Sequence, residues 1–487
     1  MSKMMETVID LLRDVAKLYF PPIYNLIKRG LDLKTLSMSM VAHYSRLFGA
    51  RAIFIVGVLA TLYAVYLFAI NVWTPGMPKA SHDVILKNRF SSPLPARDIL
   101  IVDIDERSLA ALSDQHGRWP WSRDVLADGL QKFNDLGARA VLFNVLLSDP
   151  DKNNPDADAA MEVTAQMARS TAFPLIRLNP KNDGLSQLKV VQIPGALTKP
   201  DHAADATLAV ILPMFGAMHD RLGVANQKPD ADGIVRKYPL RWEENTFVLP
   251  SMVQRTAELG GAELTGTPNQ ISLNWRNKRG RYHRISFSDV LLDQVSQEQA
   301  RAFQGAWVVL SLSAPGLGQT KPTSVASVED DGEILATALD DALHGSYLRT
   351  MPHGAALLIN LLTIWVLVWM SMGQKSGGWM NKAFVLGQSG LGGVTLLSAS
   401  YTHYLIDLSD SMSFGLSVFA AIKLVQSMDD RWSRARPGFR KARASQAQGQ
   451  LLLLGFLDHR FTGAQAKALQ AAIERVVGLI HVVRVDD

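Results

Sequence analysis

The longest apolar run, AIFIVGVLATLYAVYLFAINVW from Ala52 to Trp73, contains no charged residue and is long enough to cross a bilayer as a helix. It predicts a transmembrane helix over 52–73. A basic segment, residues 1–50, precedes it and no small-residue cleavage pattern follows, so the run reads as an uncleaved anchor rather than a removable signal peptide. GAALLINLLTIWVLVWMSMG predicts a second span over 354–373, a further run predicts a third over 383–406, and a weaker one a fourth over 411–428. Lys423 lies near one end of the fourth and can snorkel to the interface. In the third, Gly387, Ser389, Gly390, Gly392 and Gly393 read as a surface for close helix packing. Within 1–50, METVIDLLRDVAKLYF puts Val8, Leu11, Leu12, Val15 and Tyr19 on one side of a helix ended by Pro21 and Pro22, an amphipathic element for the membrane surface or a partner protein.

Between the first two spans the pattern changes to that of a folded domain over 75–350. ILIVDID (99–105) is a continuous apolar run ending in acids, as a strand buried on both faces reads. Ser122 is placed to cap a helix through about Leu136, with Leu126, Leu130 and Phe133 along one face, and Gly137 stops it before a second buried strand at 140–147. A β-α-β unit of this kind implies a mostly parallel sheet covered on both faces. Further strands are predicted at 174–178, 235–242, 270–275 and 307–313, with helices near 156–169, 203–219 and 330–344. The fold class is therefore an α/β domain with a mostly parallel sheet, plus four transmembrane helices. After a basic linker over 429–450 comes a small tail over 451–487 that reads strand, helix, strand; it is too small for a good core and needs a partner chain.

Charge orients these segments. Lysines and arginines crowd 1–50, the loop between spans two and three carries Lys375 and Lys382, and Arg431, Arg434, Arg436, Arg440, Lys441 and Arg443 follow the fourth span, placed to lie against anionic lipid headgroups. Both termini then read as cytoplasmic and the 75–350 domain as exported, periplasmic in a cell with two membranes. Composition agrees with a membrane protein: 48% of residues are hydrophobic and the formal charge of +5 is small for 487 residues, which does not point to nucleic acid. The sequence has no cysteine, so disulfides, Cys-ligated zinc, iron–sulfur clusters and thiol catalysis are excluded.

Two motifs in the exported domain carry a resemblance. ILIVDIDERSLAAL followed by GRWPWSRDVLADGLQKFNDLGARAVLFNVLLSDPD resembles the opening of CHASE2, an extracytoplasmic sensory domain of bacterial transmembrane receptors, with its I-D-I-D-E-x-S-L run, W-P-W-x-R and G-A-x-x-I-x-F-D strand. LGVANQKPDADGIVRKYPL (222–240) resembles that family's G-x-x-N-x-x-P-D-x-D-G-x-x-R-x-x-P-L segment. The resemblance covers about 75–430 and implies a sensory function with one span before the domain and three after. Three positions depart from the pattern: Asn144 stands for an acid, Ser311 for a glycine, and Gln319 for another acid. Such receptors usually carry a kinase or cyclase after the last span; no GGDEF-like loop or nucleotide-binding glycine box occurs in the tail.

Candidate site residues follow from the motifs. Ligands dock outside the carboxyl ends of parallel strands, where Asp103, Asp105 and Asn144 fall, and they would share one crevice if the first two strands are neighbours. Asp230, Asp232 and Gly233 form a turn by composition, and Arg236 could reach a carboxylate, a ligand's or Asp105. Arg123 completes the set. One reading makes Asp105, Arg123, Asp232 and Arg236 a buried structural ion-pair network; the other makes Asp103, Asp105, Arg123, Asn144, Asp230, Asp232 and Arg236 a ligand pocket. Trp119, Pro120 and Trp121 are expected to wedge a helix onto the sheet, with Pro120 holding the chain extended. Asp149, Asp151 and Asn153 resemble a calcium loop but lack its glycine and terminal glutamate, so a solvated loop entering a helix is preferred. There is no HExxH, GxSxG or Walker A pattern. No catalysis, metal or cofactor is expected.

Two functions fit. One is a non-enzymatic inner-membrane sensor passing a signal to a separate cytoplasmic partner. The other is a scaffolding subunit of an envelope-spanning secretion or conjugation complex. The retained motifs favour the first, which is preferred; the departures and the absent output module favour the second. Expected partners are the lipid bilayer and other membrane or cytoplasmic proteins, engaged through the N-terminal helix and the 451–487 tail. A homo-oligomer stays open, and nucleic acid is not expected.

Overall fold

The computed structural model describes residues 38–73, 80–199, 206–244, 246–276, 281–372 and 378–434. The chain divides into two compact units, Met1–Val425 and Gln426–Asp487; the second is described only through its helical start. The predicted N-terminal amphipathic helix, the 451–487 tail and Arg436, Arg440, Lys441 and Arg443 lie outside the described residues, and the helix that ends at Arg434 carries the backbone of Arg431.

Helix α1 (Met38–Trp73) leads to a short α2 (Ala80–Asn88), after which the chain enters β1 (Ile99–Ile104). Two helices, α3 (Glu106–His116) and α4 (Arg123–Asp135), separate β1 from β2 (Ala140–Phe143). Then come α5 (Pro155–Met167), β3 (Thr171–Arg177), β4 (Val210–Ile211), β5 (Leu222–Val224), α6 (Met252–Leu259), β6 (His283–Ser286), α7 (Phe287–Leu291), α8 (Gln297–Phe303), β7 (Trp307–Leu312) and α9 (Asp331–His344). The chain returns through α10 (His353–Met372), α11 (Gly378–Tyr401) and α12 (Ser409–Arg434).

The strands build a seven-stranded sheet in the order β6-β1-β7-β2-β3-β4, with β5 also paired to β3. All pairs are parallel except β3 with β4. Continuous apolar strands let the sheet be covered on both faces. On one face, Leu100, Val102 and Ile104 join α4, α5, α7 and α8 in a core containing Trp121, Leu130, Phe133, Met161, Phe287 and Phe303. On the other, Ile99 and Ile101 pack with α2, α6 and α9. Helix α9 is buried along its length from Gly332 to Ala342, starting at Asp330, whose carboxylate accepts from the Glu333 N–H, and ending at Gly345 in the left-handed region at φ 62°.

The β-α-β expectation needs revision in its connectivity. β7, formed late in the chain, lies between β1 and β2, with Leu100 beside Val308 and Val308 beside Val141. The helix expected at 203–219 is replaced in its described part by β4 and a 3-10 turn over Gly216–Arg221. The strand expected over 235–242 divides at Leu240 into Lys237–Pro239, paired with Gln270–Ser272, and Arg241–Glu243, paired with Phe247–Pro250. Ser122 does precede α4, but its hydroxyl makes no capping bond; it accepts from the Asn154 side chain at 3.0 Å. Asn154 itself caps α5, and the Asp151 carboxylate accepts from the backbone of Asn153 and Asn154, so this acidic loop spends its groups on local turns.

Four helices are long and apolar enough to cross a membrane: Arg51–Ile70, Gly354–Met372, Gly378–Tyr401 and Ser409–Met428. The third ends earlier than expected, because Tyr404–Leu405 leave the helix to pair as a strand with Arg349–Thr350. Ile53 and Ala64 of α1, Ile364, Leu367 and Val368 of α10, and Val418 and Ile422 of α12 form a common apolar core. The close approaches lie elsewhere than the α11 glycines suggested: a Cβ on Gly57 would sit 2.7 Å from Val368, whereas Gly387, Gly390 and Gly393 meet nothing within 4 Å. Of that set only Gly392 faces a neighbour, Met412 of α12.

Candidate functional site

The predicted site residues fall into separate places. Asp105 ends the loop after β1 and caps α3, accepting from the Ser108 N–H at 2.8 Å and from the hydroxyls of Ser108 and Ser286 at 2.7 Å each. Arg123 donates to the Asp149 carbonyl at 3.3 Å and lies 4.0 Å from Asp158. Asn144 follows β2 and is separated from β1 by β7, its backbone N–H reaching the Leu310 carbonyl at 3.3 Å. Neither the single ion-pair network nor the single crevice forms as expected, because the strand inserted between β1 and β2 moves Asn144 away and Asp105 and Arg236 serve different elements.

Arg236 and its acids make one of these places. The Asp230 N–H bonds the Ile234 carbonyl, the Gly233 N–H bonds the Asp230 carbonyl, and Gly233 has φ +82°, so PDADG folds into the turn its composition predicts. The turn aims Asp230 and Asp232 at Arg236, at 2.8 Å and 2.7 Å. The same guanidinium forms a fork to Asp83 on α2, at 2.9 Å and 2.6 Å. Burial works against the Asp83 charge, but hydrogen bonds from His82 and Arg236 outweigh it and hold the carboxyl below the usual range. The motif therefore ties α2, the helix that follows α1, to the domain.

A second place lies at the carboxyl end of β1. Asp103 pairs with Arg284 of β6 at 2.8 Å, and Arg284 also reaches Asp330 at 2.8 Å and Glu333 at 3.0 Å at the start of α9. Ser311 stands beside Asp103 in register, and α9 comes so near that a Cβ on Gly332 would lie 2.6 Å from the Ser311 hydroxyl. Asp103 Oδ1 and the Ser311 hydroxyl are buried without a hydrogen-bond partner. Burial raises the Asp103 carboxyl above its usual range, with Arg284 opposing, and burial raises Glu333 likewise. Asp103 thus binds a proton in the folded chain at a higher pH than in the unfolded chain. As pH falls from about 7 towards 4, wild type is expected to gain stability relative to Asp103→Asn. Thermal midpoints of the two proteins across that range check it, and the opposite slope contradicts the assignment.

A third place escaped the sequence reading. Arg276 is enclosed with Asp341 at 2.6 Å and Asp340 at 3.0 Å, while Tyr282 donates to Asp340 at 2.7 Å. Asp341 accepts from the Asn274 N–H, and Arg89, just after α2, donates to the Asn274 side chain and the Trp275 carbonyl. A signal existed: Asp341 shares a helical stripe with Ile334 and Ala338, where an acid needs a buried partner.

The WPW motif completes the picture. The Trp119–Pro120 bond is cis. Trp121 is buried and stacks on Phe287 of α7 at 5.8 Å, and Trp119 meets its edge at 5.1 Å. The pair thus stands where α3, α4 and α7 meet over the sheet. A model of the CHASE2 domain matches residues 56–374, more than half of the chain. The chain belongs to the CHASE2 family. No curated protein and no solved structure matches it. The two segments that resembled CHASE2 now have distinct physical work: the first supplies β1, β2 and the aromatic wedge, the second the acidic turn and the Arg236 that holds Asp83 of α2. Ser311 adjoins Asp103 in the sheet and so places a hydroxyl inside the acidic cluster.

Proposed function

We propose that this CHASE2 protein is a non-enzymatic membrane sensor, its α/β domain exported and its termini cytoplasmic, that passes a change in the domain to a separate cytoplasmic partner through its membrane helices. The observation that carries this reading is the joint between domain and spans. Arg236 holds Asp83 of α2; Ser81 of α2 donates to Asp407 at 2.6 Å; and the Phe90 N–H bonds the Ser400 hydroxyl of α11 at 2.9 Å. Arg349–Thr350 pair in parallel with Tyr404–Leu405, and Ala399 and Leu405 belong to the same apolar layer as α9. A shift of α9 or the PDADG turn is therefore felt by α2 and by the outer end of α11, because packed elements move as units.

Asp83→Asn tests the reading. It leaves Arg236 paired with Asp230 and Asp232 and weakens only the grip on α2, with an expected stability cost of about 2 kcal/mol. Cross-linked pull-downs from membranes, followed by an assay of the recovered partner, are expected to yield a signalling enzyme such as a kinase or cyclase whose activity differs between wild type and Asp83→Asn. Recovery of a fixed-stoichiometry structural assembly, indifferent to the variant, contradicts the sensor and favours a scaffold.

A further inference from the structure

The segment that joins α2 to β1 includes FSSPLPAR over residues 90–97, and it turns its large apolar side chains outward. Phe90 is 64% exposed and Leu94 is 63% exposed, while Ser92 between them is buried. Pro93 and Pro95 flank Leu94 and hold the chain extended there. Single exposed apolar residues are ordinary, so position decides what these two do. The Phe90 N–H bonds the Ser400 hydroxyl at 2.9 Å, and Ser400 lies in the last turn of Gly378–Tyr401, one of the four helices long and apolar enough to cross a membrane. Phe90 thus stands level with the end of that helix, and Leu94 follows within at most about 14 Å of chain. Tyr401 and Tyr404 are exposed at the same end. Arg349 lies 5.9 Å from the Tyr404 ring and 5.6 Å from the Tyr347 ring, and it donates to the Tyr404 hydroxyl at 3.4 Å. Rings with an apolar body and a polar tip settle at the headgroup level of a bilayer, and a guanidinium beside them can reach lipid phosphate.

We propose that Phe90, Leu94, Tyr401 and Tyr404 form a collar seated in the interface of the lipid bilayer, with Arg349 at the level of the headgroup phosphates. Lipid is the occupant because the collar continues an apolar helix surface: Leu397, one turn before Tyr401 on α11, is exposed as well. The collar also fixes α2 from two sides, since Arg236 holds Asp83 from the domain and lipid holds the segment that follows. The proposal rests on the reading of α10 and α11 as membrane spans.

The sequence has no cysteine, so a spin label can be attached at one chosen site at a time on the full-length protein in nanodiscs of phosphatidylcholine and phosphatidylglycerol. Phe90→Cys and Leu94→Cys report on the collar, Leu362→Cys on an exposed position of α10, and Leu185→Cys on an exposed position of the α/β domain. Collisions with dissolved oxygen, which concentrates in lipid, are compared with collisions with a water-soluble nickel chelate. Both collar labels are expected to favour oxygen, at a depth of about 5–10 Å into the boundary of headgroups and acyl chains, and the domain label to favour nickel. The two collar positions are read separately, so a variant that fails to fold leaves the other to decide. Collar labels that behave like the domain label overturn the proposal. Collar labels shielded from both reagents overturn it too, because they mark a protein partner or a second copy in place of lipid. An α10 label that favours nickel removes the membrane reading of the helices together with the collar, whereas an α10 label in lipid beside collar labels in water removes the collar alone.

Discussion

Trp121→Ala is expected to destabilise the α/β domain by about 3–5 kcal/mol, enough to unfold a marginal one. The indole is 2% exposed and lies against Phe287, which in turn meets Phe133 edge-on at 6.3 Å, while Phe133 stacks on Phe303 at 6.1 Å. Removing the first ring leaves a void shared by α4, α7 and α8, and close-packed neighbours relax into such a void only in part. Gly129 of α4 already lets the Phe287 ring approach so closely that a Cβ there would collide, so this seam has little freedom to reorganise. Trp119→Ala is expected to cost less, since that ring is only partly buried. Thermal melts of both variants check the order. A Trp121→Ala domain that melts like wild type removes the architectural role and returns the motif to candidate site status.

Arg276→Met should be comparably severe, at about 3–5 kcal/mol, because it strands Asp341 in a fully enclosed position. The two acids facing Arg276 behave differently. Burial raises Asp341, with Arg276 opposing; burial also acts on Asp340, but His344, Arg276, Tyr282 and the Ala96 N–H together hold it below its usual range. Loss of the arginine pushes Asp341 further up. A carboxyl whose folded value is raised gains native stability as pH falls towards its ordinary range, so the deficit of Arg276→Met shrinks on acidification. Adding Asp341→Asn to Arg276→Met is expected to recover most of the loss at neutral pH. Urea unfolding of the single and double variants measures this directly, and a deficit that widens on acidification contradicts the pairing.

The four long apolar helices and the strands β1 and β2 were legible because their signals are local: uncharged or nearly uncharged apolar runs, and apolar strands, the first ending in acids. The PDADG turn was legible for the same reason, since Gly233 and its aspartates dictate a turn within a few residues. What escaped was long-range. Nothing near Ile99–Ile104 announces that Trp307–Leu312 inserts beside it, and that one insertion separates Asn144 from Asp103. Arg284 and Asp330 lie far apart in sequence from Asp103, and Asp83 far from Arg236, so their pairing depends on topology rather than spacing. The stretch at 203–219 misled because alternating alanine and apolar residues read as helical, whereas its described part is used as a short edge strand and a 3-10 turn.

Amide hydrogen exchange on full-length protein in lipid nanodiscs, comparing wild type with Asp83→Asn, tests most directly whether the domain and the adjoining ends of the long apolar helices act as one mechanical unit. Faster exchange is expected in Ala80–Asn88 and, in the same variant, across residues 396–408, which Asp83 does not touch. Faster exchange confined to Ala80–Asn88 and the 230–236 turn, with 396–408 unchanged, would contradict the coupling on which the sensor reading stands.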